Sequence, residues 1–114
     1  MNGSTSTLAL KHCTPCREGM APLKDDEAGR LLGELDGWAI TPGPRVAKTW
    51  KLANFADALS FVNRIGAIAE AEDHHPDIAL AWGRVGVELW THAAGGLTEN
   101  DFIVAAKIDE AAAG

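Results

Sequence analysis

Between Asn54 and Leu89 the apolar residues change period once, at Pro76, and that change confines the chain to architectures pairing a long helix with a hairpin. Phe55, Ala58, Leu59, Val62, Ile65, Gly66 and Ala69 recur at i, i+3, i+4 and i+7, the stripe of a helix facing a core. The spacing predicts a helix from Phe55 to about Asp73, with Asn54 as N-cap and Asp57 three residues on, as in a capping box. Phe61 and Ile68 flank Ile65 and widen the stripe beyond what one sheet covers. A deeply set helix and a face meeting another subunit both fit that width. After Pro76 the period becomes two. Ile78, Leu80 and Trp82 alternate with small residues, Gly83-Arg84 turns the chain, and Val85, Val87 and Leu89 alternate with Gly86, Glu88 and Trp90.

The flanking segments complete the pattern. Asp25, Asp26 and Glu27 favour the start of a helix running to Leu35, with Ala28, Leu31, Leu32 and Leu35 on one face and Gly37 as its stop. Gly29 and Gly33 weaken that helix. Trp38 to Thr41 reads as a short strand, Pro42-Gly43-Pro44 as a turn, and Val46 to Leu52 as a second strand. A last helix starts from Thr98 as N-cap, with Asp101 three residues on and Leu97 placed to staple against Phe102. The order α-β-β-α-β-β-α predicts an α+β fold: a four-stranded antiparallel sheet with three helices packed on one face. Residues 1–22 read as a flexible leader, 23–110 as a single domain and 111–114 as an alanine-rich tail.

Size and charge remove other options. At 114 residues the chain holds one domain, with no room for a separate cofactor domain. Its net charge of −6 disfavours nucleic acid and anionic membranes as partners. No apolar run approaches the roughly 20 residues of a membrane span, and no signal-peptide pattern opens the chain. A cytoplasmic location is the expectation.

The hairpin carries a geometric argument about chemistry. With Gly83-Arg84 at the turn centre, Ile78 faces Leu89, Leu80 faces Val87 and Trp82 faces Val85. Continued outward, that register sets His75 opposite His92 and Asp77 opposite Trp90. Three of the four histidines then converge at the open end, and Glu70 lies one turn before His74. Imidazoles suit general acid and base work near neutral pH. The same set has the ligand types for zinc or iron, although adjacent His74 and His75 diverge, unlike an i, i+4 chelating pair. The bland alternative is that they cap a helix and fill a strand end. Trp50 and Trp82 read as core, whereas Trp38 after Gly37 can wall a flat ligand. Gly95-Gly96 serves either a close approach to a ligand or the turn into the last helix. Cys13-x-x-Cys16 beside His12 lacks the second CxxC of a zinc knuckle and the strand–helix context of a thioredoxin-like pair, so it reads as two reduced thiols without a role.

Taken together, Glu70-x3-His74-His75-Pro76-x5-Trp82-x9-His92-x8-Asp101 resembles the signature of the pterin-4a-carbinolamine dehydratases, bacterial type. The likeness extends through Gly37-Trp38, Phe61-Val62-Asn63-Arg64 and the stretch from Trp90 to Phe102, covering roughly Leu23 to Asp109. It implies a four-stranded antiparallel sheet under helices, a homodimer or homotetramer, and loss of water from a 4a-hydroxytetrahydropterin to give the quinonoid dihydropterin, in tetrahydrobiopterin recycling. It implies neither a redox cofactor nor a metal. Carried onto this chain, His75 is the principal general acid/base and His92 the second proton-transfer group, while His74 binds or orients the pterin. Glu70 positions a histidine or a ligand nitrogen, Trp38 lines the pocket, and Asp101 holds the His92 loop. The resemblance also leaves room for a non-catalytic dimerisation or interaction module, and for a pterin-related role in molybdenum cofactor metabolism. Lys24 departs from the capping Thr or Ser common in bacterial relatives.

Overall fold

The structure, a computed structural model, describes residues 7–113. Its elements are α1 (Asp25–Leu32), β1 (Ala39–Thr41), β2 (Arg45–Lys51), α2 (Phe55–Glu72), β3 (Asp77–Ala81), β4 (Arg84–Leu89) and α3 (Glu99–Ala113), with short 3-10 turns at Thr7–Leu10 and His92–Ala94. The four strands form one antiparallel sheet in the order β1-β2-β4-β3, so the two hairpins join through β2 and β4 at its centre. This is the α+β architecture expected from the pattern. Val46, Val85, Val87 and Leu89 point to one side, where they are buried with Ala58, Phe61 and Ile65 of α2 and Phe102, Ile103 and Ile108 of α3. Ala47, Thr49, Ala79, Gly86 and Glu88 alternate with them on the side the helices leave open. No helix among the described residues is long and apolar enough to cross a membrane.

The long helix ends where its polar signals place it. The Asn54 side chain accepts the Asp57 N–H at 2.8 Å. At the other end Asp73 adopts a left-handed conformation (φ 52°) that turns the chain into His74-His75-Pro76. The first helix stops earlier than its apolar spacing suggested, at Leu32, and Glu34 and Leu35 continue only as tighter i→i−3 turns. Two glycines within nine residues cost it helical propensity. Lys24 offers no capping acceptor, but its backbone N–H is bound by the Glu27 side chain at 3.0 Å. The alanine run expected as a tail instead extends α3 to Ala113, as befits the strongest helix former.

The hairpin register differs from the expectation. The turn is centred on Trp82-Gly83: Ala81 pairs with Arg84, Leu80 with Val85 and Ile78 with Val87. Gly83 is the second loop residue; its φ is +70°, and a Cβ there would meet the Leu52 carbonyl at 3.1 Å, so the position suits glycine alone. Each partner moves by two residues, which preserves every inward and outward assignment while changing every pair. Trp82 therefore leaves the sheet for the turn, where it is 73% exposed rather than core.

The leader also departs from expectation. Met1–Ser6 lie outside the described residues, but from Thr7 onward the chain is docked on the domain. Leu8 is 1% exposed in the same core as α3, Lys107 Nζ donates to the Ala9 carbonyl at 2.9 Å, and the Leu23 N–H donates to Leu97 at 2.7 Å.

Candidate active site

Asp101 is the centre from which the site is built. It sits in the first turn of α3 and is fully buried. A carboxylate accepts hydrogen bonds only, so its partners must all donate. Oδ1 receives Nε2–H of His74 at 2.6 Å, and Oδ2 receives both the Thr91 hydroxyl and the Thr98 N–H at 2.9 Å. Thr98 Oγ1 lies 2.8 Å from Thr91 Oγ1, closing the group. The capping spacing of Thr98 and Asp101 thus does more than start a helix. It ties the segment after α2 and the segment after β4 to one side chain. Among the described residues no buried side-chain polar atom lacks a partner.

His74 and Thr91 each have a histidine as their next neighbour in sequence, and both neighbours face outward. His75 is exposed and its Nε2–H donates to Glu70 at 2.6 Å, which leaves Nδ1 open to exchange a proton. His92 is exposed on the 3-10 turn, its ring 3.8 Å from that of Trp90. The guanidinium of Arg45 lies 4.8 Å over the opposite partner of that stack, the Trp90 ring, and bonds Glu88 at 2.8 Å. The pairing of β3 with β4 ends at Asp77–Glu88, so no cross-strand pair sets His75 opposite His92. Each histidine is tied to the site through its neighbour, His74 or Thr91, on the Asp101 carboxylate.

The six expected site residues therefore separate. His75, His92 and Glu70 form an outer group reachable from solvent. His74 (7% exposed) and Asp101 (0%) lie behind it. Glu70 binds His75, not His74 one turn away. Trp38 joins neither group. It is 7% exposed, packs edge-on against Trp50 and donates its indole N–H to Asp109 at 3.0 Å. Asp109 lies roughly 12 Å beyond Asp101 along the helix axis at 1.5 Å per residue.

Several participants had no role from spacing alone. Thr91 carries no local signal, because its role depends on a carboxylate ten positions away. Arg45 stood in a turn-to-strand segment with no sign that it would cover Trp90. Asn100 and Glu72 hold the leader: Asn100 exchanges two hydrogen bonds with Thr14, and Glu72 accepts the Cys13 N–H at 2.7 Å and the His12 ring at 2.9 Å. Gly95 takes φ +69° as the 3-10 turn closes, so the glycine pair serves the chain reversal into α3. Among the described residues no three His, Cys, Asp or Glu side chains converge as metal ligands would.

Comparison with known proteins agrees with this picture. The family model of pterin 4 alpha carbinolamine dehydratase matches residues 21–111. A Rubrobacter xylanophilus protein named as a candidate pterin-4-alpha-carbinolamine dehydratase is 46% identical over 104 residues, covering 91% of this chain and 97% of its own. A Chlorobium limicola protein of the same name is 50% identical over 103 residues, covering 86% and 91%. Among solved structures, a transcriptional coactivator/pterin dehydratase from Brucella melitensis superposes with a TM-score of 0.76 at 35% identity, over 80% of this chain and 98% of its own. A pterin dehydratase-like protein described as a RuBisCO assembly factor of the alpha-carboxysome shares the fold, with a TM-score of 0.57 at 24% identity over 67% of this chain and 89% of its own.

Proposed function

The chain belongs to the pterin 4 alpha carbinolamine dehydratase family, and from that premise we propose that it removes water from a 4a-hydroxytetrahydropterin by histidine acid–base catalysis. The reaction breaks the bond between C4a and its hydroxyl oxygen while a ring nitrogen gives up a proton. It therefore needs one group to protonate the leaving hydroxyl and another to take the nitrogen's proton. His75 and His92 are the two exposed imidazoles at the hairpin's open end. Glu70 holds His75 by Nε2 and keeps Nδ1 free, so His75 is the principal proton-transfer group and His92 the second. The observation that carries this reading is the Asp101 carboxylate, which binds His74 and Thr91, the immediate neighbours of the two catalytic imidazoles, on its two oxygens. His74, buried behind them, orients the site rather than exchanging protons with solvent. The ring of Trp90, under the Arg45 guanidinium, packs against His92 and steadies it.

The test is the decay of chemically generated 4a-hydroxytetrahydropterin with and without protein. Wild type should accelerate it, and the His75→Ala/His92→Ala double variant should not. Wild type indistinguishable from buffer would sink the proposal. Recycling of tetrahydrobiopterin in the cytoplasm is the setting this chemistry serves.

A second role rests on α2, where Phe55 and Leu59 are 45% and 42% exposed on the helix expected to be broader than one sheet requires. We propose that this face joins copies of the chain as a homodimer or homotetramer. It is also the surface an interaction module would use. Sizing by light scattering should give a multiple of 12.0 kDa, and Leu59→Glu should lower it.

A further inference from the structure

The dehydration described above uses no thiol, yet the chain builds a site around two. Asn100, in the first turn of α3 and 3% exposed, commits its whole side-chain amide to the Cys13–Cys16 loop. Its Oδ1 accepts the Thr14 N–H at 3.0 Å, and its Nδ2 donates to the Thr14 carbonyl at 2.7 Å and to Cys16 Sγ at 3.4 Å. Cys13 Sγ lies 3.7 Å from the carbonyl of the same Asn100, so both sulfurs rest on one residue. Cys16 is exposed, and its Sγ is 3.9 Å from Nδ1 of His74. The other nitrogen of that ring is committed to Asp101 as a donor, which leaves Nδ1 with a lone pair aimed at the thiol. A nucleophile, a base within reach and a carboxylate orienting the base is the arrangement that activates a thiol, and the Asn100 N–H supports the sulfur's developing charge.

We propose that Cys16 is a reactive thiol for low-molecular-weight disulfides, and that Cys13 resolves the product. In the first step His74 Nδ1 takes the Cys16 proton as the sulfur attacks one sulfur of the incoming disulfide. The incoming S–S bond breaks, a Cys16 mixed disulfide forms, and the departing thiolate takes up the proton. In the second step the Cys13 sulfur attacks the Cys16 sulfur, and the second small thiol leaves with the Cys13 proton. Two protein thiols are oxidised and one small disulfide is reduced to two thiols. Closing the pair removes the Cys16 S–H that faces His74 Nδ1, so the state of the thiols reaches the buried side of the histidine group. Cys13 takes the resolving role by its position, three residues before Cys16 on the same loop. Burial and the neighbouring carboxylate of Glu72 push its thiol up to about 12, so its attack is the slower of the two steps.

The experiment is exposure of the reduced full chain to oxidised glutathione at neutral pH, followed by intact-mass and peptide mass spectrometry. Wild type should lose two hydrogens and retain no glutathione, whereas Cys13→Ser should hold one glutathione on Cys16. Capture by Cys13→Ser should be at least about tenfold faster folded than in urea at the same pH, as a positioned base requires. In His74→Gln that advantage should disappear while the chain remains folded by circular dichroism. The comparison with urea stands alone if that variant does not fold. Capture at the unfolded rate, a stable mixed disulfide on wild type, or an undiminished rate in folded His74→Gln would overturn the proposal. None of these readouts depends on dehydratase activity.

Discussion

His74 and Thr91, on segments that never pair as strands, are held together through opposite oxygens of one buried carboxylate, Asp101, at 2.6 and 2.9 Å. The outer site inherits its geometry from that link, because His75 and His92 are the next residues along each segment.

Replacing Asp101 tests the link. Asp101→Ala would leave the His74 ring N–H, the Thr91 hydroxyl and the Thr98 N–H buried without their acceptor, and should cost about 3–5 kcal/mol in denaturant unfolding. Asp101→Asn keeps an acceptor oxygen and should cost less. In either variant that remains folded, dehydration should slow through the maximal rate, since Asp101 itself is closed to solvent.

Glu70→Gln separates positioning from proton transfer. Both Glu70 and His75 are largely exposed, so stability should not change. Loss of one proton-transfer group slows such reactions by roughly 10²–10⁴-fold. His75→Ala should fall in that range. Glu70→Gln, which still offers an oxygen to Nε2, should lose clearly less in the same steady-state assay.

The leader gives stability a dependence on pH at both extremes. Burial alone would raise the Glu72 carboxyl, but the Cys13 N–H, the His12 ring and the Lys107 ammonium outweigh it and hold the group below its ordinary 4.5. A carboxyl held low in the folded chain adds stability above about 4.5 that is lost as pH falls through its folded value. Cys13 acts in the opposite range. Its thiol ionises near 9.0 when free and near 12 when folded, so the unfolded chain sheds that proton first and stability declines as pH climbs between them. Unfolding midpoints measured across pH should show both limbs. Glu72→Gln should flatten the acid limb and Cys13→Ser the alkaline one.

Trp38→Phe distinguishes a pocket wall from a core residue. The change removes the indole N–H from a carboxylate that Lys48 continues to hold at 2.9 Å, and should cost about 1.5–3 kcal/mol as a lost charged hydrogen bond. Dehydration by the folded variant should match wild type. A raised KM with normal stability would return Trp38 to the substrate's side.

What could be read from the chain alone was whatever is settled within a few residues. The stripe of α2, its Asn54 cap, the switch of period at Pro76 and the Thr98-x-x-Asp101 start of α3 are properties of i to i+4 neighbours, and they were enough for the α+β order. The register is not legible in the chain because apolar alternation is indifferent to a shift that keeps each face; the pairing of Ala81 with Arg84 belongs to the folded hairpin. The division of the histidines into outer and buried pairs, the displacement of Trp38 to the core and the seating of Cys16 on His74 were decided by packing. Those contacts join residues 27, 71 and 58 positions apart. Their energies come from burying a carboxylate, an indole and a thiol loop against α3, and no local pattern carries that information.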